Sequence, residues 1–188
     1  AILGVGMMGQ EHISYIQKFR DRVVVRYICD PSSESIETAL SLIENEEDAP
    51  AVFKNESDLR ENHAEDIDLL VIATPNYLHT PQLLRWGQYP MKILCEKPVA
   101  ISEQQVKALR KASPLFKAKI WVAMEYRYMP AIQKLLSLLP TIGELKCVTI
   151  RENRYPFLSK VGEWNKDLNK TGDTLVEKCC HFFDLFSL

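Results

Sequence analysis

The chain has 188 residues, 46% of them apolar and 26% charged, with a net charge of -2, a balance ordinary for one globular domain or one domain and part of another. That charge gives no electrostatic case for nucleic acid or an anionic membrane surface, and no apolar run nears the ~20 residues needed to span a bilayer. Cys29, Cys95, Cys147, Cys179 and Cys180 form no C-x-x-C pair or zinc spacing, so reduced thiols in a cytosolic protein are expected, and no metal.

Along the first two thirds, short apolar runs alternate with longer amphipathic ones, the pattern of βαβ units around a parallel sheet. Strands are expected at residues 2–5, 23–29, 51–53, 69–73, 93–95 and 120–124, most of them near-continuous Val/Ile/Leu runs suited to a sheet covered on both faces. Helices are expected at 8–19, 33–44, 80–89 and 102–113. Ser102 with Gln105 fits a capping box, and Pro81 suits a first helical turn. A helix should follow Pro130, and Gly143 should end the turn before a strand at 145–152. Next come a loop from Arg154 to Lys170 rich in Arg, Tyr and Trp, and a helix from Thr174. The change in character near residues 124–129 divides the chain into 1–124 and 125–188. Only Ala1, Ile2 and Leu3 precede the first glycine, and an apolar stretch runs to Leu188, so a segment cut at both ends is expected.

Gly4-Val5-Gly6-Met7-Met8-Gly9 is G-x-G-x-x-G between a strand and a helix. The first glycine permits the tight turn, the second lets backbone approach a pyrophosphate, and the third lets helix pack on strand. The pyrophosphate would then lie against unpaired N–H groups and the positive end of the helix dipole. The side chains of Met7 and Met8 are expected to pack. Asp30 ends the second strand, where a carboxylate can take both ribose hydroxyls. Pro31-Ser32-Ser33 follows, with no Arg or Lys for a 2′-phosphate, which favours NAD over NADP. The fold class expected is therefore a Rossmann doubly wound parallel sheet over 1–124, followed by an incomplete α/β domain.

Later stretches carry further identity. They are Val71-Ile72-Ala73-Thr74-Pro75-Asn76-Tyr77-Leu78-His79, Leu94-Cys95-Glu96-Lys97-Pro98, Glu125-Tyr126-Arg127-Tyr128-Met129-Pro130 and Gly172-Asp173-Thr174-Leu175-Val176-Glu177-Lys178-Cys179-Cys180-His181. In this order they resemble the glucose-fructose oxidoreductase / inositol dehydrogenase / MocA family over essentially the whole chain. The resemblance implies a Rossmann domain, then an α/β domain whose open sheet makes homo-oligomer contacts. The activity it implies is NAD(P)-dependent oxidation or reduction of sugars, inositols and related polyols. Members are typically well above 300 residues.

Lys97 is the leading candidate for chemistry. It follows a parallel strand at its carboxyl end, where ligands bind in doubly wound sheets. Oxidising an alcohol needs a base for the hydroxyl proton, and a lysine serves if its pKa falls from ~10.4 towards ~7–8. The resemblance similarly places this lysine beside nicotinamide and substrate, and implies a cis peptide before Pro98 that would aim it into the cleft. Glu177 and His181, spaced i, i+4, would share a helix face; the resemblance implies that such an acid and histidine contact substrate hydroxyls. Here the acid is Glu where the family usually has Asp, and Cys179 stands where a glycine is usual. Thr174-x-x-Glu177 is also a capping box, so Glu177 is either a site acid or a cap. One site requires Lys97 and His181 to converge, with the helix from Thr174 returning to the strands' carboxyl ends.

Thr74, Pro75, Asn76 and His79 would border the nicotinamide with Glu96, His79 alternatively capping the next helix. Tyr126 and Arg127 are substrate candidates, although Arg127 could instead pair across the domain interface. Lys160, Trp164 and Asn165 would meet a polyol, the indole as an apolar face and the amide as paired donor and acceptor. His12 and His63 receive no role. The reading is a dehydrogenase moving hydride between a polyol or sugar C–OH and NAD. Alternatives are an NAD-using glycosidase or sugar–sugar oxidoreductase, and a non-catalytic NAD-binding regulator.

Overall fold

Each apolar run in the first two thirds of the sequence becomes a strand, and the segment after it carries the chain back across the sheet, so that neighbours pair parallel. The computed structural model describes residues 1–153, 155, 158 and 160–188. Strands β1 (Ile2–Leu3), β2 (Tyr27–Cys29), β3 (Ala51–Phe53), β4 (Leu69–Ile72), β5 (Lys92–Cys95) and β6 (Lys119–Val122) form one sheet in the order β3-β2-β1-β4-β5-β6. Every pairing is parallel. This is the doubly wound Rossmann arrangement, with its switch point between β1 and β4.

The helices are α1 (Met7–Gln17), α2 (Ser33–Ser41), α3 (Glu56–His63), α4 (Asn76–Trp86), α5 (Glu103–Ala112) and α6 (Pro130–Leu138). Three short ones follow: α7 (Leu168–Thr171), α8 (Asp173–Glu177) and α9 (Cys180–Phe186). Among the described residues no helix is long and apolar enough to cross a membrane. Alternation along the central strands divides the core between the two faces. Leu3, Ile72 and Ile93 join Leu59, Leu83 and Trp86 in one cluster. Ile2 and Val71 join Val5, Ile13 and Ile36 in the other.

Several elements differ from the sequence reading. β2 starts at Tyr27 rather than 23, because its neighbour β3 begins opposite Tyr27 at Ala51 and offers no ladder earlier; Val23 and Val24 are exposed. α3 was not expected. Its first residue, Glu56, sits in partial burial that would raise its carboxyl pKa, yet hydrogen bonds from Arg85, Gln82 and Trp86 hold it below the ordinary value. α4 begins at Asn76, so Pro81 lies inside it. The Tyr77 carbonyl, which an N–H at position 81 would have met, accepts instead from Gln105 Nε2 at 3.3 Å. The Ser102 cap is present, its hydroxyl accepting from Gln105 N. The strand expected at 145–152 does not form, since a strand needs a ladder partner and no described strand pairs with it. Of the loop expected from Arg154, Arg154 itself lies outside the described residues; residues 161–166 form 3-10 turns in which Gly162 and Glu163 are left-handed.

Candidate active site

The glycine turn after β1 is built as its spacing demands. Gly4 has φ +81°, and a Cβ there would come within 2.8 Å of Ala73 backbone. A Cβ on Gly9 would lie 2.1 Å from the Gly4 carbonyl oxygen. Gly6 differs, because a Cβ there would meet nothing within 4 Å. That opening lies at the N-cap of α1, which has no side-chain cap and no acid in its first turn. Unpaired N–H groups and the positive dipole end are thus left for an anion. Met7, expected to pack, is 48% exposed at this rim.

Asp30 follows β2. Its Oδ2 accepts from Val5 N at 2.9 Å and its Oδ1 from Ser32 N at 2.8 Å, which fixes the carboxylate while each oxygen keeps a lone pair for a hydroxyl. One residue nearby was missed: Lys54 reaches from beyond β3 to donate to Ser33 Oγ at 3.0 Å.

After β4, the Thr74 hydroxyl is engaged by Gln82, so Thr74 and Pro75 offer backbone. Asn76 is buried with its Nδ2 unpartnered. His79 corrects both of its expected roles. It lies inside α4, 1% exposed, with Nδ1 2.7 Å from Pro98 O and Nε2 2.7 Å from Thr74 O. Neither cap nor cofactor contact, it sits between the turn after β4 and the turn after β5, with one N–H to donate to one of the two carbonyls. Burial lowers its pKa against the opposing pull of those two carbonyls. Buried Glu96 faces His12 Nε2 at 2.9 Å, a tie from α1 to the lysine turn. The Lys97–Pro98 peptide is cis.

The second half of the chain returns to these strand ends. Lys97 Nζ donates to the Glu177 carbonyl at 3.3 Å. Glu177 and His181 are both buried, though not on one continuous helix. Lys178 N and Cys179 N both bond to Thr174 O, and the helix is interrupted between α8 and α9. Nor is Glu177 a cap: Asp173 Oδ1 accepts from Leu175 N and Val176 N, and Glu177 ends α8.

The His181 ring stacks on Tyr126, centroids 4.2 Å apart and planes 9° from parallel. Its Nε2 lies 3.4 Å from Glu125 Oε1, and its Nδ1 is buried without a partner. Burial, then the charges of Lys97 and Lys178, push its pKa down to about 4. The Tyr126 hydroxyl is spoken for, donating to Glu152 and accepting from the buried Lys178; the tyrosine offers its ring rather than its hydroxyl.

Arg127 takes neither of its expected roles: it forms a two-point ion pair with Asp184 of α9, inside 125–188 rather than across the boundary at 124, and this engages its Nε and Nη2 edge. Lys160 is partly buried, which lowers its pKa, and it lies within electrostatic reach of Glu177, Lys97 and Glu96. Its Nζ sits 4.6 Å from the Trp164 ring centroid. Asn165 is a correction: its amide bonds Lys160 N and Leu158 O, shaping its own turn rather than facing a polyol. His12, Lys54, Glu125, Lys178 and Asp184 went unread because each meets a partner far away in sequence. Only Asp184 gave a local hint, three residues beyond His181.

A family model described as an oxidoreductase family with an NAD-binding Rossmann fold, Gfo/Idh/MocA, matches residues 1–123. The chain belongs to this family. Its relatives carry several functional names. Inositol 2-dehydrogenase of Rhizobium meliloti (strain 1021) is 30% identical over 124 residues, covering 65% of this chain and 36% of that protein. The 2,7-anhydro-N-acetylneuraminate hydratase of Escherichia coli (strain K12) is 28% identical over 185 residues, covering 93% of this chain and 45% of that one. The chain thus spans less than half the length of these relatives. Among solved structures, the WlbA (WbpB) dehydrogenase of Thermus thermophilus in complex with NAD and UDP-GlcNAcA aligns with a TM-score of 0.68 at 25% identity. That alignment covers 99% of this chain and 61% of that one.

Proposed function

We propose that the chain holds NAD on residues 1–124 and, with 125–188 opening a second α/β domain, belongs to a dehydrogenase acting on a C–OH of a sugar, inositol or related polyol. One observation carries the reading: Lys97 Nζ, 3.3 Å from the Glu177 carbonyl, meets the segment that buries His181 with an unpartnered Nδ1. The dehydrogenase names of the R. meliloti and T. thermophilus relatives support it.

The residues present fit NAD. Gly6 leaves the space a Cβ would fill, the N-terminus of α1 suits the pyrophosphate, and Asp30 suits the ribose hydroxyls. The buried, unpartnered Asn76 amide would serve the nicotinamide end. Preference over NADP rests on Asp30, whose charge would repel a 2′-phosphate. When bound, NAD supplies the hydride acceptor. Lys97 then takes the hydroxyl proton as general base. Neutral His181 accepts a hydrogen bond from an adjacent substrate hydroxyl through Nδ1, while Glu177 and Lys160 hold other hydroxyls and Trp164 offers an apolar face. We place the protein in the cytosol as a homo-oligomer, which size-exclusion chromatography with light scattering would check.

The test is incubation of the full chain with NAD and a panel of inositols, aldoses and sugar acids. NADH fluorescence should rise with at least one polyol. Silence across the panel, with NADH binding intact, would overturn the reading. The hydratase name of the E. coli relative favours one alternative, in which NAD is used without net reduction. Product from a glycoside or anhydro-sugar without accumulating NADH would select it.

A further inference from the structure

We propose that Glu125 is a positioning residue that fixes the tautomer of His181, putting the ring proton on Nε2 and leaving the Nδ1 lone pair for the substrate. The inference rests on the dehydrogenase reading for its consequence, not for its geometry.

A neutral imidazole has one donor nitrogen and one acceptor nitrogen. Which is which follows from the fixed partner that one of them meets. At His181 the asymmetry is complete. Nε2 faces the carboxylate oxygen of Glu125 at 3.4 Å, and an ionised carboxylate can only accept. Nδ1 is buried with no partner. With its proton on the nitrogen that faces Glu125, the ring leaves Nδ1 as an acceptor without a protein donor, a lone pair that a substrate hydroxyl can engage.

The same turn fixes the ring in its other dimension. Glu125 and Tyr126 are consecutive in the 3-10 turn Glu125–Tyr128, directly after β6. One meets the ring's edge and the other its face, 9° from parallel. Tyr126 is itself held through its hydroxyl by Lys178 and Glu152. The charged groups around His181 are Lys97 and Glu96 after β5, Glu125 after β6, Lys178 before α9 and Asp184 on α9. The two lysines oppose an imidazolium, which keeps the ring in the neutral form where a tautomer has meaning. The Glu125 side chain is 56% exposed, so replacing it leaves the core intact.

The test is nitrogen NMR of ¹⁵N-histidine-labelled full chain, with His181→Gln assigning the signal. Wild type should show a protonated Nε2 and an unprotonated Nδ1 on His181 at neutral pH. Glu125→Gln, whose amide oxygen still accepts, should keep that tautomer, and Glu125→Ala should mix the two. With a polyol substrate, Glu125→Ala should lower kcat ~10-fold and Glu125→Gln less than ~3-fold, with KM for NAD within ~2-fold in both, as expected of a residue acting through another. An Nδ1-protonated His181 in wild type, or an unchanged tautomer or kcat in Glu125→Ala, overturns the proposal. The NMR needs no turnover: the expected tautomer in a chain inert to every polyol would sink the dehydrogenase reading alone, whereas turnover with the opposite tautomer would sink only the role of Glu125.

Discussion

Among the described residues, every buried apolar side chain lies between Ile2 and Pro98, whereas the buried residues after Pro98 are Thr171, Glu177, Lys178 and His181. The two regions are ordered by different forces. The first is held by apolar burial on both faces of a sheet, at about 25 cal/mol per Å², and presents mostly backbone to a cofactor. The second meets the first through Lys97 on Glu177 O and is held within itself by charge and hydrogen bonds, Arg127 on Asp184 and Lys178 on Tyr126 and Glu152. Burying such groups costs unless each is paired. Stability should therefore reside largely in the first region and turnover in the junction between the two.

The sharpest way to break that division is Lys97→Met. It should lower turnover ~10²–10⁴-fold, the usual worth of a general acid–base group, with NADH binding and melting nearly unchanged. A defect confined to KM would show that Lys97 binds without moving a proton. Next in size, Leu70→Ala removes a fully buried side chain of β4 and should cost ~2–5 kcal/mol in a urea titration, while kcat per folded molecule stays within error. Asp30→Ala should weaken NADH binding ~10–100-fold, the loss of a charge-assisted bond worth ~1.5–3 kcal/mol. Tighter binding of NADPH than NADH by the native chain would refute that assignment, and Lys54 beside Ser33 makes the comparison worth measuring.

The smallest effect concerns pH. His181 has a folded pKa near 4 against 6.5 when free, so the folded state resists a proton that the unfolded chain accepts. Stability is full above 6.5 and falls as pH drops, levelling off below about 4. Between pH 7 and 6 its share is about 0.7 kcal/mol. The wild-type slope should exceed that of His181→Gln by this amount in urea midpoints, and equal slopes would contradict it.

The sheet was legible because buried parallel strands must be apolar, so runs such as Leu69–Ile72 announce themselves. The glycine turn was legible because Gly4 and Gly9 are each required by contacts under 3 Å. α3 was not, because Leu59 is its sole buried residue and one apolar side chain in eight makes no period. Residues 145–152 alternate like a strand, yet alternation states what a segment could pair with, not that a partner is present. At the site, Lys97, Glu177 and His181 were legible as residue types at meaningful positions, with the resemblance behind them. What they touch was not, since His12–Glu96 and Lys97–Glu177 join positions 84 and 80 apart. Asn165 and Arg127 misled for a related reason: a polar side chain advertises hydrogen bonds without saying whether neighbouring protein will consume them.

The imidazole of His79 has a mechanical consequence. Its two ring nitrogens lie 2.7 Å from Thr74 O and from Pro98 O; the neutral ring has one N–H to donate, so it wedges between two loops, the one after β4 and the one carrying Lys97, and bonds one of them at a time. Relative travel between them would have to displace a packed ring and break its one hydrogen bond in a dry interior. The spacing between those two turns is then a dimension of the protein alone, set before any ligand arrives. If the site is as proposed, adjustment to a substrate of different size would fall to the turn bearing Lys160 and Trp164, where the amide of Asn165 bonds Lys160 N and Leu158 O.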